Sequence, residues 1–230
     1  MTKYQISINP FAEYLEASES RRKQILNEQL NPDPVRIPYY QLAKSRIKTS
    51  IVNSGNYTAI KEGIRELTAK KPVKKWQISD RVNSIKALEN YQDMLLSKLI
   101  TENKLEVIKP KQKHLNFNGV TILISPNIIF RITIAGVKHI GACKIHVSKG
   151  KPFSNKQSKV VATLLNQYLS NCVVSEDEEV NPELCFCLDP FAGTTINSYS
   201  RILVDMNVVK QICEEITQTW VGNQNQTNVA

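Results

Sequence analysis

Between Thr58 and Ala69 the apolar residues Ile60, Ile64 and Leu67 recur at three- and four-residue steps, the spacing of one helix face. The same period predicts a helix from Tyr39 to Val52, with Leu42, Ile47 and Ile51 as its stripe and Lys44, Arg46 and Lys48 mostly elsewhere. From Ser79 the positions Val82, Ile85, Leu88, Tyr91, Leu95 and Leu99 predict the longest helix of the chain. Upstream, Asn9-Pro10 reads as an N-cap followed by proline, opening a short helix to Leu15. Ser18 or Ser20 caps a second helix carrying Arg21, Arg22, Ile25 and Leu26, which the Asn31-Pro32-Asp33-Pro34 breaker stops. Ser54-Gly55-Asn56 closes the third helix, and the basic connector Lys70-Lys71-Pro72-Val73-Lys74-Lys75 follows the fourth.

After Lys104 the period changes to two. Val120 to Ser125, Ile128 to Ile134 and His139 to Val147 are β-branched runs separated by Pro126-Asn127 and Gly136-Val137, which predicts an antiparallel three-stranded meander. Ser154 to Leu169 is a helix with Val160, Val161, Leu164, Leu165 and Leu169 inward. An acidic loop, Glu176-Asp177-Glu178-Glu179, precedes a strand from Leu184 to Leu188 that ends at Asp189-Pro190. A short strand over Ile202 to Val204 and a helix from Asn207 to Trp220 close the chain. The expected class is α+β, with mixed α/β as its variant: a helical region over 1–78, a mixed-sheet domain over 79–221 with helices flanking the meander, and a flexible tail over 222–230.

Charge adds a second pattern. Residues 107–175, 69 in all, contain no Asp or Glu but hold ten Lys or Arg and all three histidines. The whole chain carries +9, and residues 1–110 hold 19 basic against 12 acidic side chains. Such a balance suits a polyanionic partner. Five scattered cysteines and the absence of an apolar leader or a run long enough to span a bilayer suggest free thiols in the cytoplasm and no membrane partner.

If Gly136-Val137 forms a type II′ turn, Ala135 pairs with Lys138 and Arg131 with Ala142. Arg131, Thr133, Lys144, His146 and Ser148 then share one face, with Arg131 diagonal to Lys144, while Phe130, Ile132, Ile134, Cys143, Ile145 and Val147 form the core face. The expected phosphate-contacting set is Arg131, Lys138, Lys144, His146, Lys149, Lys151 and Lys156. His139 and His146, seven apart on one strand, fall on opposite faces and do not make a shared metal site.

The order long helix, three-stranded meander, helix, strand is similar to the core of the PD-(D/E)XK nuclease superfamily. Ile140-Gly141-Ala142-Cys143-Lys144-Ile145-His146 resembles its third core strand, where the (D/E)-x-K signature ends in lysine. The resemblance covers residues 79–192 and implies that Lys144 matches the catalytic lysine. It also implies that Ala142 replaces one metal-binding acid, with Arg131 and Thr133 where the preceding strand should supply the other. Without those acids Mg²⁺ is not held, so the implied protein is a non-cleaving relative with no cofactor. The alternative is a Mg²⁺-dependent nuclease with acids relocated to Glu89, Asp93 or Asp189. A third expectation is an assembly subunit, in which Glu176, Asp177, Glu178 and Glu179 of one copy meet the basic face of another. Leu188-Asp189-Pro190-Phe191-Ala192-Gly193-Thr194-Thr195 resembles the cofactor loop of DNA amino-methyltransferases, but it lacks the second glycine, and no catalytic D/N/S-P-P-Y/F tetrapeptide occurs. The leading expectation is a bacterial or phage protein that associates with DNA or RNA.

Overall fold

The computed structural model describes residues 4–32, 37–109 and 112–227, with side chains to Thr219. Its first strand, β1 (Tyr4–Ser7), leads directly into α1 (Ile8–Glu16), so the helix begins one residue before the Asn9-Pro10 pair expected to open it. Helix α2 (Glu19–Leu30) is capped by Ser18, whose hydroxyl accepts from the Arg21 amide. Asp33 and Pro34 of the breaker lie outside the described residues. Helices α3 (Gln41–Val52) and α4 (Thr58–Ala69) follow. Helix α5 (Lys75–Gln92) starts within the basic connector and buries Ser84, Ala87, Leu88 and Tyr91. The expected stripe is corrected at its ends: Val82 is 49% and Leu95 88% exposed, the chain leaves the helix before Leu95, and Leu99 falls in a separate short helix, α6 (Lys98–Thr101). Nor is α5 the longest helix, since α8 runs over Met206–Thr227. Helix α8 thus enters the segment expected to be a flexible tail, of which 228–230 lie outside the described residues.

The fold is α+β, as expected, with two mixed sheets. A small sheet has the order β1-β4-β3, with β3 at His114–Phe117 and β4 at Val120–Leu123; β4 pairs β1 in parallel and β3 antiparallel. The large sheet has five strands: β2 (Glu106–Val107), β5 (Ile128–Ile134), β6 (Val137–Ile145), β7 (Glu178–Asp189) and β8 (Thr194–Asn197), side by side in that order. Neighbours are antiparallel except β6 and β7, which helix α7 (Asn155–Cys172) joins as a parallel crossover. The expected first meander strand is therefore corrected: Val120–Leu123 belongs to the small sheet, and the antiparallel trio is β2-β5-β6. Pro126 lies in the connection between β4 and β5, which belong to different sheets, and β4 pairs instead with β1 and β3.

Both faces of the large sheet are covered. Phe130, Ile132, Cys143, Ile145, Leu184, Phe186 and Leu188 pack under α3, α4 and α5. Ile129, Ile140, Ala142, Cys185 and Cys187 pack under α7, in a core shared with α1, α8 and the small sheet. The expected boundary near residue 78 does not divide these cores, because α3 and α4 share one with the sheet and β1 belongs to the other. Helix α7 starts at a capping box, Ser154 with Gln157, and its Lys159 points inward, donating to the carbonyls of Ser198 and Ser200. Ile202 to Val204, expected as a strand, is not one.

Candidate nucleic-acid interface

The hairpin turn sets the geometry of the basic residues. Ile134 pairs with Val137, and the two turn residues, Ala135 (φ 49°) and Gly136 (φ 84°), both lie on the left-handed side, as a type I′ turn requires. The expected type II′ register is thus displaced by two positions. A two-residue slip keeps every side chain on its face, so Arg131, Thr133, Lys138 and Lys144 do share one. It also places Arg131 opposite Ile140 and separates it from Lys144 by four residues, about 13 Å of strand. The expected diagonal contact is absent.

That face is not an open basic surface. Arg131 bonds Glu106 on β2 at 2.9 Å and also Glu178, whose side chain is 2% exposed. Lys138 meets Asp177 at 2.6 Å. The acids missing from residues 107–175 arrive from just outside it, carried by the neighbouring strands. Asp177 and Glu178, expected to reach a second copy, are engaged within the same chain. Burial opposes the charged form of Glu178, but the hydrogen bonds from Arg131 and the Ser175 amide outweigh it and hold the carboxyl below its ordinary range. Lys151 pairs with Glu13 of α1 at 2.8 Å, so it too is neutralised.

The other expected residues gather at the C-terminal end of β6. Lys144 is half-buried, and its amine donates to the Ser125 carbonyl at 2.7 Å. Burial, with the nearby Lys44 charge adding to it, pushes this amine down to about 8. Asn127, between Pro126 and β5, reaches the same strand: its amide donates to the Cys143 carbonyl and its side-chain oxygen accepts from the Ile145 amide at 2.8 Å. The residue that flanks Lys144 across the ladder is therefore Asn127, just before β5, and not Arg131 or Thr133. Register alone decides this, and the sequence carried only the Pro-Asn pair as a hint.

His146 is buried against Phe153, rings parallel at 3.5 Å, with Nε2 at 2.9 Å from the Lys151 carbonyl and 4.0 Å from Asp189. Burial lowers its pKa; the Lys151 carbonyl and Asp189 act in the other direction. It is a wall residue and not a surface contact. Asp189 is fully buried and accepts from the amides of Phe153, Phe191 and Ala192 at 2.7–3.1 Å. Its role is to pin the α7 approach and the turn after β7, which accounts for the Asp-Pro-Phe motif without a cofactor. Glu89 and Asp93 are exposed on α5 and its cap, and Glu89 lies 3.8 Å from Lys86. Among the described residues no three His, Cys, Asp or Glu side chains gather closely enough to hold a metal ion.

A cleft of about 1210 Å³ opens beside this strand end, between α1 and α2 on one side and the start of α3 on the other. Glu13, Arg21, Tyr40, Lys44, His146 and Lys151 line it. Arg21 ties Glu13 to Glu28, both at 2.8 Å, so one guanidinium meets two of the three glutamates that line the α1–α2 wall, Glu16 being the third, and that wall carries net negative charge. Lys149 and Lys156 are exposed near its rim, Lys156 in the first turn of α7 and Lys149 with its amide at 3.5 Å from the Tyr40 hydroxyl. Comparison with family models finds no match, and no curated protein matches the chain.

Proposed function

We propose that this protein associates with nucleic acid through the C-terminal end of β6 and does not cleave it. The observation that carries the reading is Lys144, a half-buried ammonium beside Lys44 that bonds a backbone carbonyl and, among the described residues, no carboxylate. A cation held without a counter-charge is a subsite for an anion, and exposed Lys149 and Lys156 extend it. Arg131 and Lys138 leave the proposed set, because their charges are met within the fold.

The element order supports a PD-(D/E)XK-like core: α5, the antiparallel trio β2-β5-β6, crossover α7 and parallel β7 occur in that order, with α6 and the small-sheet strands β3 and β4 inserted between them. In that reading Lys144 keeps the lysine position, while the acid positions beside it hold Asn127 and Ala142. A neutral amide already bonded to backbone and a methyl group do not fit a Mg²⁺ site, so no cleavage step is derived through one. Asp189 supplies no replacement, since three amides occupy its oxygens.

The test is binding of labelled DNA and RNA titrated against salt, with Mg²⁺ and Mn²⁺ cleavage controls. Affinity should fall steeply with salt, and Lys144→Ala with Lys149→Ala should reduce the slope by about 1–2. No cleavage should appear. Undetectable binding at low salt would reject the reading.

A further inference from the structure

Four aromatic rings form a continuous row, of which Tyr39 and Tyr40 line the cleft. Trp76 meets Tyr39 at 6.3 Å, Tyr39 meets Tyr40 at 6.2 Å, and Tyr40 meets Phe191 at 6.2 Å. The interplanar angles are 83°, 46° and 67°, so no pair is a parallel stack, although the edge-on Trp76–Tyr39 and Tyr40–Phe191 contacts each set one ring's edge against its neighbour. Trp76 and Tyr39 are each 37% exposed, an unusual placing for two large rings in contact.

The row is held in place. Tyr40 sits at φ 62°, a conformation that a bulky residue adopts only when its surroundings enforce it. Its amide donates to Asp80 of α5 at 2.6 Å, and its carbonyl accepts the amide of Lys44 to open α3. Trp76 lies in the first turn of α5, directly after Lys74 and Lys75. Lys71, Lys74 and Lys75 are exposed, and among the described residues no carboxylate pairs with them. Lys149 borders the row at Tyr40.

Flat open rings edged by unmatched lysines recognise one chemistry well: bases with free faces, joined by phosphates. A duplex hides its base faces in its own stack and would meet only the lysines. We propose that the Trp76–Tyr39–Tyr40 row takes a single-stranded polynucleotide, its bases stacked on the rings and its phosphates on the lysines of the α4–α5 connector and Lys149. This deepens the nucleic-acid reading above and rests on it.

Fluorescence anisotropy with labelled oligo(dT), oligo(U) and a duplex of equal length tests it on the full chain. Both single strands should bind more tightly than the duplex, and whichever of the two is preferred identifies the source. Tyr39→Ala and Trp76→Ala should each weaken single-strand binding at least about fivefold, the lower end of a lost base–ring stack, while leaving duplex binding unchanged. Trp76→Phe should restore most of the loss, and matching thermal melts establish that the variants fold. Equal affinity for single strand and duplex, with both ring variants indifferent, would overturn the single-strand proposal and leave the nucleic-acid reading standing. Failure of every polynucleotide to bind would overturn both.

Discussion

Glu178 depends on Arg131 for its charge, because water reaches only 2% of its side chain. Arg131→Ala should therefore cost stability more than binding. We expect a loss of about 1–3 kcal/mol, the penalty for stranding a buried charged acceptor, read as a lower urea midpoint. The pH dependence has a definite sign. With its folded value below the ordinary 4.5, Glu178 contributes stability above that value and loses it as pH falls through the folded value. The gap between the native protein and Arg131→Ala should accordingly narrow in acid. Lys144 has the same sign for the opposite reason, since burial disfavours its charged form instead of a partner favouring it. Its amine is pushed from 10.5 down to about 8, so between those values the unfolded chain holds more protons and stability rises with pH. The buried thiols of Cys143, Cys185 and Cys187, all raised by burial, work against that trend. Comparison with Lys144→Met isolates the lysine: the native protein should gain on this variant between pH 7 and 10. Titration of the isotopically methylated amine by NMR should place it near 8, and a flat difference together with an ordinary amine value would refute the assignment.

At the scale of elements, β6 and β7 meet across a mismatch. Ile140 pairs with Val180 and Ala142 with Cys185, so Asn181 to Leu184 bulge out opposite the single residue Gly141. A β-carbon at Gly141 would lie 2.5 Å from Leu184 Cβ, 2.7 Å from its carbonyl oxygen and 2.9 Å from Phe130 Cζ. Gly141→Ala should cost about 1–3 kcal/mol by overpacking, visible in thermal or urea unfolding, whereas Gly136→Asn at the open hairpin turn should be far milder. The elements were largely legible in advance because periodicity is local: α4 matches its expected span, Ser18 caps α2, and the core face from Phe130 to Val147 is buried as alternation implied. Pairing was not legible. Nothing in Val120 to Ser125 announces that its partner is Tyr4 to Ser7, four residues too short to stand out as a strand. The hairpin slipped from its expected register because Ala135, which no turn rule favours, takes a positive φ.

Across the whole molecule, the acid-free stretch proved to be a property of the sequence and not of the surface. Folding brings Glu106, Asp177, Glu178 and Glu13 to the very cations that looked unopposed. What stays unmatched among the described residues includes Lys144, Lys149 and Lys156 of that stretch and the lysines of the α4–α5 connector, near which aromatic residues from three separate segments converge. No window of sequence contains that row, so composition could suggest a polyanion but could not say where it sits. The described helices include none long and apolar enough to cross a membrane.

The pairing of Tyr4–Ser7 with Val120–Leu123 also has a bearing on timing during synthesis. At roughly 5–20 residues per second, a ribosome needs some seconds after making the first strand before its partner exists. Through that interval Ile6, Ile8 and Phe11, all buried in the finished core, have no sheet to join. Strand β1 is made before β4 and cannot pair until β4 emerges, and its apolar side chains are the ones a nascent-chain chaperone would find waiting.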